Sequence, residues 1–175
     1  IESLVRVLSD FKNAGREIVL VTSGAIGVGA GHLGLRERPH DIGGKQAAAA
    51  VGQCELMYAY DKHFSEYGHV TAQVLLTRDV VEDAQRKTNV VNTLCRLLEY
   101  GAVPIINEND TVATEEIEFG DNDTLSALVA ELVGAQGLVL LTDIDGLYDS
   151  DPHRHPDAKR IDTVTRIDDA LYALA

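Results

Sequence analysis

Short apolar runs alternate with helical patterns along this chain, and the alternation limits the folds that it can adopt. The runs are EIVLVT (17–22), HVTAQVLL (69–76), VPIIN (103–107) and GLVLLT (137–142). Their length and their β-branched residues predict strands, and they are too apolar to face water on either side. Such strands are typical of a parallel sheet that helices cover on both faces. We therefore expect an α/β fold, a three-layer αβα sandwich with a mainly parallel central sheet.

Three of the predicted strands end in residues that can bind or react. TSGAIG follows the first strand, NEND closes the third, and TDIDGLY follows the fourth. In open α/β sheets, ligands bind beyond the carboxyl ends of the strands. We therefore expect a binding site along one edge of the sheet, built from these three loops.

The net charge of −13 is concentrated in one part of the chain. Residues 97–153 contain 13 acidic residues and no lysine or arginine, whereas acidic and basic residues balance on either side. A nucleic-acid-binding chain would need basic patches, so this composition argues against that function. Blocks of acidic residues are often solvated or disordered, but apolar strands and a helical pattern interrupt this block. A cation site and a pocket for the amino group of a small substrate are the two functional interpretations.

Length and cysteine content indicate the broad class of the protein. The chain has 175 residues, of which 45% are hydrophobic, and this suits one domain with a substantial core. No apolar run reaches the roughly 18 residues that a membrane-spanning helix needs. Cys54 and Cys95 fit no metal-binding spacing and indicate a reducing cytoplasm. Ile1 already lies within a helical pattern, so we expect the chain to begin inside its domain.

The glycine-rich stretch VTSGAIGVGAG (21–31) has three interpretations. It can be an ordinary turn between a strand and a helix. It can be a dinucleotide fingerprint, although its glycines are spaced G-x-G-x-G and do not clearly open a helix that follows directly. It can also be a cradle for an oxyanion, in which Ser23 offers a hydroxyl and Gly24 lets backbone N–H groups approach a carboxylate or phosphate.

The acidic loop does not match a known calcium site. NEND (107–110) and GDND (120–123) lack the 12-residue calcium-loop spacing and its terminal glutamate. Asp110 is a suitable counter-ion for an ammonium group, and Asn122 can both donate and accept hydrogen bonds. Asp123 opens the predicted helix DNDTLSALVAELVGA, where a carboxylate is commonly only a cap.

LLTDIDGLYDSDP (140–152) also allows two interpretations. Thr142 and Asp143 leave the fourth predicted strand and are followed by a glycine turn, which is ordinary turn chemistry. A strand end that is shielded from water and followed by Thr-Asp can also bind the ribose or base edge of a nucleotide.

The combination of these segments resembles the amino acid kinase family, and within it the kinases that act on glutamate. The resemblance is carried by VTSGAIGVGAGHLGL, KQAAAAVGQ, LLTRDV, VPIINENDTVAT, FGDNDTLSALVA and LLTDIDGLYDSDP. It covers nearly all 175 residues in order, and NEND followed by GDNDTLSALVA is its most specific part. It implies phosphorylation of the γ-carboxylate of L-glutamate by ATP, the first step towards proline, on a mainly parallel sheet between helical layers.

The resemblance also implies roles for single residues. Ser23, Asp110 and Asn122 correspond to positions that contact the substrate glutamate. Asp123 corresponds to the residue that organises the catalytic lysines. Thr142 and Asp143 correspond to positions beside the nucleotide. Further implications are Mg²⁺ carried with ATP, L-proline as a feedback inhibitor, a homo-oligomer, and a cytoplasmic location.

The lysines of the family are not present in this sequence. One belongs to a Lys-x-Gly-Ser stretch before the first helix, and another to a Gly-Gly-Met-x-Thr-Lys loop after the last helix. We therefore expect residues 1–175 to be an amino acid kinase domain that is incomplete at both ends, and inactive alone; Lys45 is the only lysine in the right neighbourhood. A non-catalytic glutamate or proline sensor is one alternative. A kinase for acetylated glutamate or for aspartate is another, although Asp110 suits a free amino group.

Overall fold

The helices and strands of the computed structural model follow the predicted alternation over most of the chain. The structure describes residues 1–77, 80, 83–112 and 122–172. Contacts divide the chain into two units, Ile1–Leu138 and Val139–Ala175. The elements of the first unit are α1 (Glu2–Asn13), β1 (Leu20–Val21), α2 (Ala25–His32), α3 (Ile42–Glu66), β2 (Thr71–Leu76), α4 (Ala84–Glu99), β3 (Val103–Glu108) and α5 (Asn122–Leu132).

The first unit contains a parallel sheet of three strands in the order β1-β3-β2. Leu20 of β1 pairs with Ile105 of β3, and Thr71 of β2 pairs with Val103 of β3. All three strands run in the same direction, so the predicted parallel sheet is confirmed. The strand predicted at 17–22 is shorter than expected, because only Leu20 and Val21 make ladder pairs.

The central strand β3 faces two hydrophobic cores, since successive side chains of a strand point to opposite faces. Val103 and Ile105 belong to a cluster with buried residues of α1, α2 and α3. Ile106 belongs to a second cluster, with Leu94 of α4 and Leu125 of α5. Helices therefore cover both faces of the sheet, which confirms the predicted three-layer arrangement.

Helix α2 begins at Ala25 with Gly24 as its N-cap, so the glycine-rich stretch opens a helix after β1, which its spacing alone did not make clear. α2 crosses α3 at very short range through Gly29 and Gly52. A Cβ built on Gly29 would lie 1.8 Å from the carbonyl oxygen of Ala48, and one built on Gly52 would lie 1.8 Å from that of Ala25. The glycines here let two helix backbones touch, which a side chain would prevent.

The prediction of a fourth strand at GLVLLT (137–142) is wrong. These residues have no strand structure, and Leu138, Val139, Leu140 and Leu141 are exposed, Val139 to 80%. An apolar run becomes a strand only when a neighbouring strand satisfies its backbone groups. No described strand pairs with this segment.

The second unit is small and contains an antiparallel pair of short strands. Its elements are β4 (Leu147–Tyr148), β5 (Arg160–Ile161) and α6 (Asp169–Tyr172). Leu147 pairs with Ile161, and Tyr148 pairs with Arg160. The helical pattern RIDDALYALA (166–175) predicts a last helix, and α6 confirms it at Asp169–Tyr172.

Candidate active site

The parallel register brings the carboxyl ends of β1, β2 and β3 to one edge of the sheet. Two backbone hydrogen bonds extend the ladders past the strand ends. Thr22 N–H donates to the carbonyl of Ile106 at 2.8 Å, and Asn109 N–H donates to the carbonyl of Leu76 at 2.8 Å. Ser23 and Asp110, each one residue further along the chain, therefore follow directly on this edge, as the sequence predicts for the first and third strands.

Ser23 and Gly24 lie between β1 and helix α2. Both are exposed, and Gly24 is the N-cap of α2, with a φ of 94° in the left-handed region. The first N–H groups of a helix have no partner within the helix and attract anions. This geometry suits the predicted oxyanion cradle, and contact of Ser23 with glutamate stays a prediction.

Two side-chain amides lie buried beneath this edge, and neither was recognised from the sequence. Asn107 of β3 is 2% exposed and Gln53 of α3 is 8% exposed. Asn107 Nδ2 donates to Gln53 Oε1 at 2.9 Å, while Asn107 Oδ1 accepts from the N–H of Glu108 at 2.9 Å. The amide pair joins the long helix α3 to the end of the central strand. The available signal was the single glutamine on the otherwise small, apolar stretch AAAAVGQ (47–53).

A small pocket opens next to this amide pair. Its lining residues are Ala49, Gln53, Leu75, Glu108, Asn109, Asp110 and Thr111. Asp110 is half-buried there, and the Thr111 hydroxyl donates to Asn109 Oδ1 at 2.6 Å. The volume open to the centre of a water molecule is about 10 Å³, enough for about one water. Asp110 therefore lines a small cavity at the carboxyl edge of the sheet.

Asn122 and Asp123 are the first two residues of α5, and both are half-buried. α5 contacts β1 and β3. Ser126 fixes the first turn of the helix, because its hydroxyl donates to the carbonyls of Asn122 and Asp123, each at 2.9 Å. Four other acidic residues of this loop lie outside the described residues: Glu115, Glu116, Glu118 and Asp121.

Thr142 and Asp143 belong to the second unit. Both are exposed, and the Thr142 hydroxyl donates to Asp143 Oδ1 at 3.1 Å. They do not leave a buried strand, contrary to the sequence-based expectation. Their contact with a nucleotide stays a prediction.

Asp145, three residues after Thr142, accepts hydrogen bonds from two side chains. Tyr148 OH donates to Asp145 Oδ1 at 2.6 Å, and Arg160 donates to Asp145 Oδ2 at 2.8 Å. The hydrogen bond from Tyr148, and then the Arg160 guanidinium, lower the pKa of Asp145. The same Asp145 carboxylate raises the pKa of Tyr148. These bonds tie the turn before β4 to β5.

The part of the chain that the structure describes contains neither a cluster of metal ligands nor a membrane-spanning helix. Among residues 1–77, 80, 83–112 and 122–172, no three His, Cys, Asp or Glu side chains group closely enough to hold a metal ion. None of the helices in these ranges combines the length and the apolar character needed to cross a membrane.

Known proteins similar to this chain include kinases. Residues 1–172 match the amino acid kinase family. Glutamate 5-kinase of Clostridium perfringens is 57% identical over 171 residues, which make up 95% of this chain and 64% of that protein. Glutamate 5-kinase of Caldanaerobacter subterraneus is 54% identical over 174 residues, covering 99% of this chain and 47% of that protein. The chain thus spans about half to two thirds of the length of these relatives.

A solved structure supports the fold. The isopentenyl phosphate kinase of T. acidophilum, in a product complex, superposes with a TM-score of 0.57 at 24% sequence identity. The match covers 90% of this chain and 66% of that protein. At this identity, the similarity extends to the arrangement of helices and strands alone.

Proposed function

The chain belongs to the amino acid kinase family, and we propose that it forms the glutamate-binding part of an ATP-dependent glutamate 5-kinase. In this reaction an oxygen of the γ-carboxylate attacks the γ-phosphorus of ATP. A new O–P bond forms while the bond to the β,γ-bridging oxygen breaks, so that L-glutamyl 5-phosphate and ADP are produced. The relatives named glutamate 5-kinase support this assignment, at 57% and 54% identity across nearly the whole chain.

The observation that carries the proposal is the place of Asp110. Asp110 is half-buried at the carboxyl edge of the sheet and lines the same pocket as Gln53. A confined carboxylate pairs favourably with an ammonium group. Asp110 is therefore assigned to the α-amino group of glutamate, which distinguishes this substrate from its acetylated form.

The other residues of the edge complete the proposed substrate contacts. Ser23 offers its hydroxyl to a carboxylate oxygen of glutamate, and the N–H groups that follow Gly24 favour negative charge there. Asn122 holds glutamate through its side-chain amide. Asp123, beside it on α5, orients catalytic lysines by accepting hydrogen bonds from their ammonium groups.

Thr142 and Asp143 are assigned to the nucleotide. Their exposed hydroxyl and carboxylate can accept hydrogen bonds from a ribose or a base edge. Mg²⁺ enters as the complex with ATP and neutralises part of the phosphate charge. The same proposal includes a cytoplasmic location and a homo-oligomer. It also includes inhibition by L-proline, because proline shares the α-carboxylate and amino nitrogen of glutamate.

A trapping assay on the whole protein, at the length of its relatives, tests this function. Hydroxylamine converts an acyl phosphate into a hydroxamate, so we expect hydroxamate to form from glutamate, ATP and Mg²⁺. N-acetylglutamate and aspartate serve as competing acceptors, and we expect little product from either. A preference for N-acetylglutamate would overturn the role of Asp110, and the absence of product from glutamate would overturn the function itself.

A further inference from the structure

We propose that Gln53 is a specificity-determining residue that donates a hydrogen bond from its side-chain amide to the α-carboxylate of the bound amino acid. This inference rests on the proposed function, because it names a further contact with the same substrate. Three observations on the structure carry it: the orientation of two buried amides, a donor that lacks a partner, and the pocket that Gln53 lines.

The orientation of the Gln53 amide follows from a backbone N–H. The N–H of Glu108 can only donate, so the atom of Asn107 that accepts it, 2.9 Å away, is the oxygen Oδ1. The other atom of that amide is then the nitrogen Nδ2, which donates to Gln53 at 2.9 Å. The Gln53 atom facing Asn107 is therefore the oxygen Oε1. The nitrogen Nε2 is the atom of Gln53 left to interact elsewhere.

This nitrogen lacks an acceptor. Gln53 is 8% exposed, and its Nε2 is fully shielded from solvent without a hydrogen-bond partner among the described residues. Buried donors without acceptors are rare in folded proteins, since the lost hydrogen bonds to water are not replaced. An unpaired buried donor beside a pocket is the expected state of a site whose acceptor arrives with the ligand.

The pocket tells which acceptor is complementary to this donor. Gln53 and Asp110 line the same small cavity. A carboxylate wall binds an ammonium, and an amide N–H donor binds a carboxylate oxygen. An α-amino acid carries an ammonium and a carboxylate on its α-carbon, so the pair recognises its head group.

The substitution Gln53→Glu tests the N–H donor of Gln53 separately from the oxygen that accepts from Asn107. Its carboxylate can still accept the hydrogen bond from Asn107, while the N–H groups of Nε2 are replaced by an oxygen that repels an anionic carboxylate. In the whole protein we expect the KM for glutamate to rise about 10- to 100-fold, the range set by one hydrogen bond to a charged group. We expect the KM for ATP to stay within about twofold, because the lost contact is to the amino acid.

A second substrate shows whether Gln53 recognises the α-carboxylate or only supports the structure. The α-amide of glutamate (isoglutamine) keeps the amino group and the γ-carboxylate but carries an N–H donor in place of one α-carboxylate oxygen. The carboxylate that Gln53→Glu introduces would accept a hydrogen bond from that donor. We therefore expect this substitution to shift the ratio of kcat/KM for glutamate over isoglutamine by about 10-fold or more towards isoglutamine. A change in packing alone would lower both values together.

Two further variants act as controls. Gln85 lies in the first turn of α4, where its side chain is exposed and donates to Asn89, so Gln85→Glu adds the same charge away from the pocket and should leave both KM values unchanged. Gln53→Met keeps the volume of the side chain without adding charge; it removes the donor and also the oxygen that accepts from Asn107, and it should also raise the KM for glutamate selectively. This second variant retains the test if Gln53→Glu does not fold.

The outcomes separate the two proposals. A selective rise in the KM for glutamate, with the shift in substrate ratio, supports the role of Gln53. A whole protein that phosphorylates glutamate, and whose Gln53 variants keep the original KM or lose activity equally on both substrates, overturns the role of Gln53 alone. A whole protein that does not phosphorylate glutamate overturns the proposed function and this inference with it.

Discussion

Asp110 illustrates how the position of one residue changes the meaning of its charge. The acidic residues of segment 97–153 look equivalent in the sequence, but Asp110 is half-buried at the sheet edge and borders a pocket, whereas Asp143 is exposed in the second unit. A confined carboxylate interacts more strongly with a ligand cation than a solvated one. The contribution of Asp110 should therefore appear in the binding of glutamate.

Replacing Asp110 tests this assignment. We expect Asp110→Ala to raise the KM for glutamate roughly 30- to 1000-fold, since losing a buried charged hydrogen bond costs on the order of 2–4 kcal/mol. The KM for ATP should change little. Steady-state kinetics of the whole protein provide the measurement, with Asp61→Ala, an exposed aspartate on α3 that accepts from Thr71, as the control. Equal effects on both substrates would remove Asp110 from the amino-acid site.

Thr142 and Asp143 should affect the other substrate. We expect Asp143→Ala and Thr142→Val to weaken ATP binding, while glutamate and proline still protect the protein against thermal unfolding. Protection arises because a ligand that binds only the folded state raises the unfolding temperature. Asp157→Ala, an exposed aspartate in the same unit, is the matched control. Loss of amino-acid protection with unchanged ATP binding would show that the two residues are wrongly assigned.

The sequence made some of these residues predictable and concealed others. Ser23 and Asp110 follow apolar strands, and their place on one edge follows from the geometry of parallel sheets. Gln53 lies in the long helical pattern 45–68, where its neighbours are small and apolar. Its importance depends on which face of α3 meets the end of β3, and only tertiary packing decides that.

At the scale of elements, the contact of α2 with α3 depends on Gly29 and Gly52. We expect Gly29→Ala to lower the free energy of unfolding by about 3 kcal/mol or more, because its Cβ would lie 1.8 Å from the carbonyl oxygen of Ala48 and must push the helices apart. Gly27→Ala, in the same helix with nothing within 4 Å, should raise it by about 0.5–1 kcal/mol. Urea unfolding measures both; equal effects would contradict the close crossing.

The elements themselves were predictable where local pattern decides them. The strands β2 and β3 lie at the predicted runs 69–76 and 103–107, and α5 lies within the predicted helix DNDTLSALVAELVGA. Residues 137–142 share the apolar character of β3 but form no strand, because a strand also needs a hydrogen-bonding neighbour that local sequence does not specify. The spacing of the glycine-rich stretch left three interpretations open, and only tertiary packing shows that Gly29 serves the contact of α2 with α3.

At the scale of the whole molecule, the charge distribution raises the question of how ATP is bound. Thr142, Asp143 and Asp123 all lie in segment 97–153, which has 13 acidic residues and no lysine or arginine. Phosphoryl transfer depends largely on cations that stabilise the charge of the transferred group. A pair of opposite charges near 4 Å is worth roughly 4 kcal/mol at an effective dielectric of about 20, and like charges cost as much. Mg²⁺ cancels only about half of the roughly four negative charges of ATP.

We therefore expect the 175-residue chain by itself to show no measurable glutamate kinase activity, and the whole protein, at the length of its relatives, to be active. The hydroxamate assay compares the two, and circular dichroism checks that the shorter chain is folded. Steady turnover by the 175 residues would contradict this prediction. In that event the variant Lys45→Met, which removes a half-buried lysine from the first turns of α3, identifies the residue that supplies the positive charge. Loss of turnover would assign the missing cation to Lys45. Retained turnover would assign it to another basic residue of the chain.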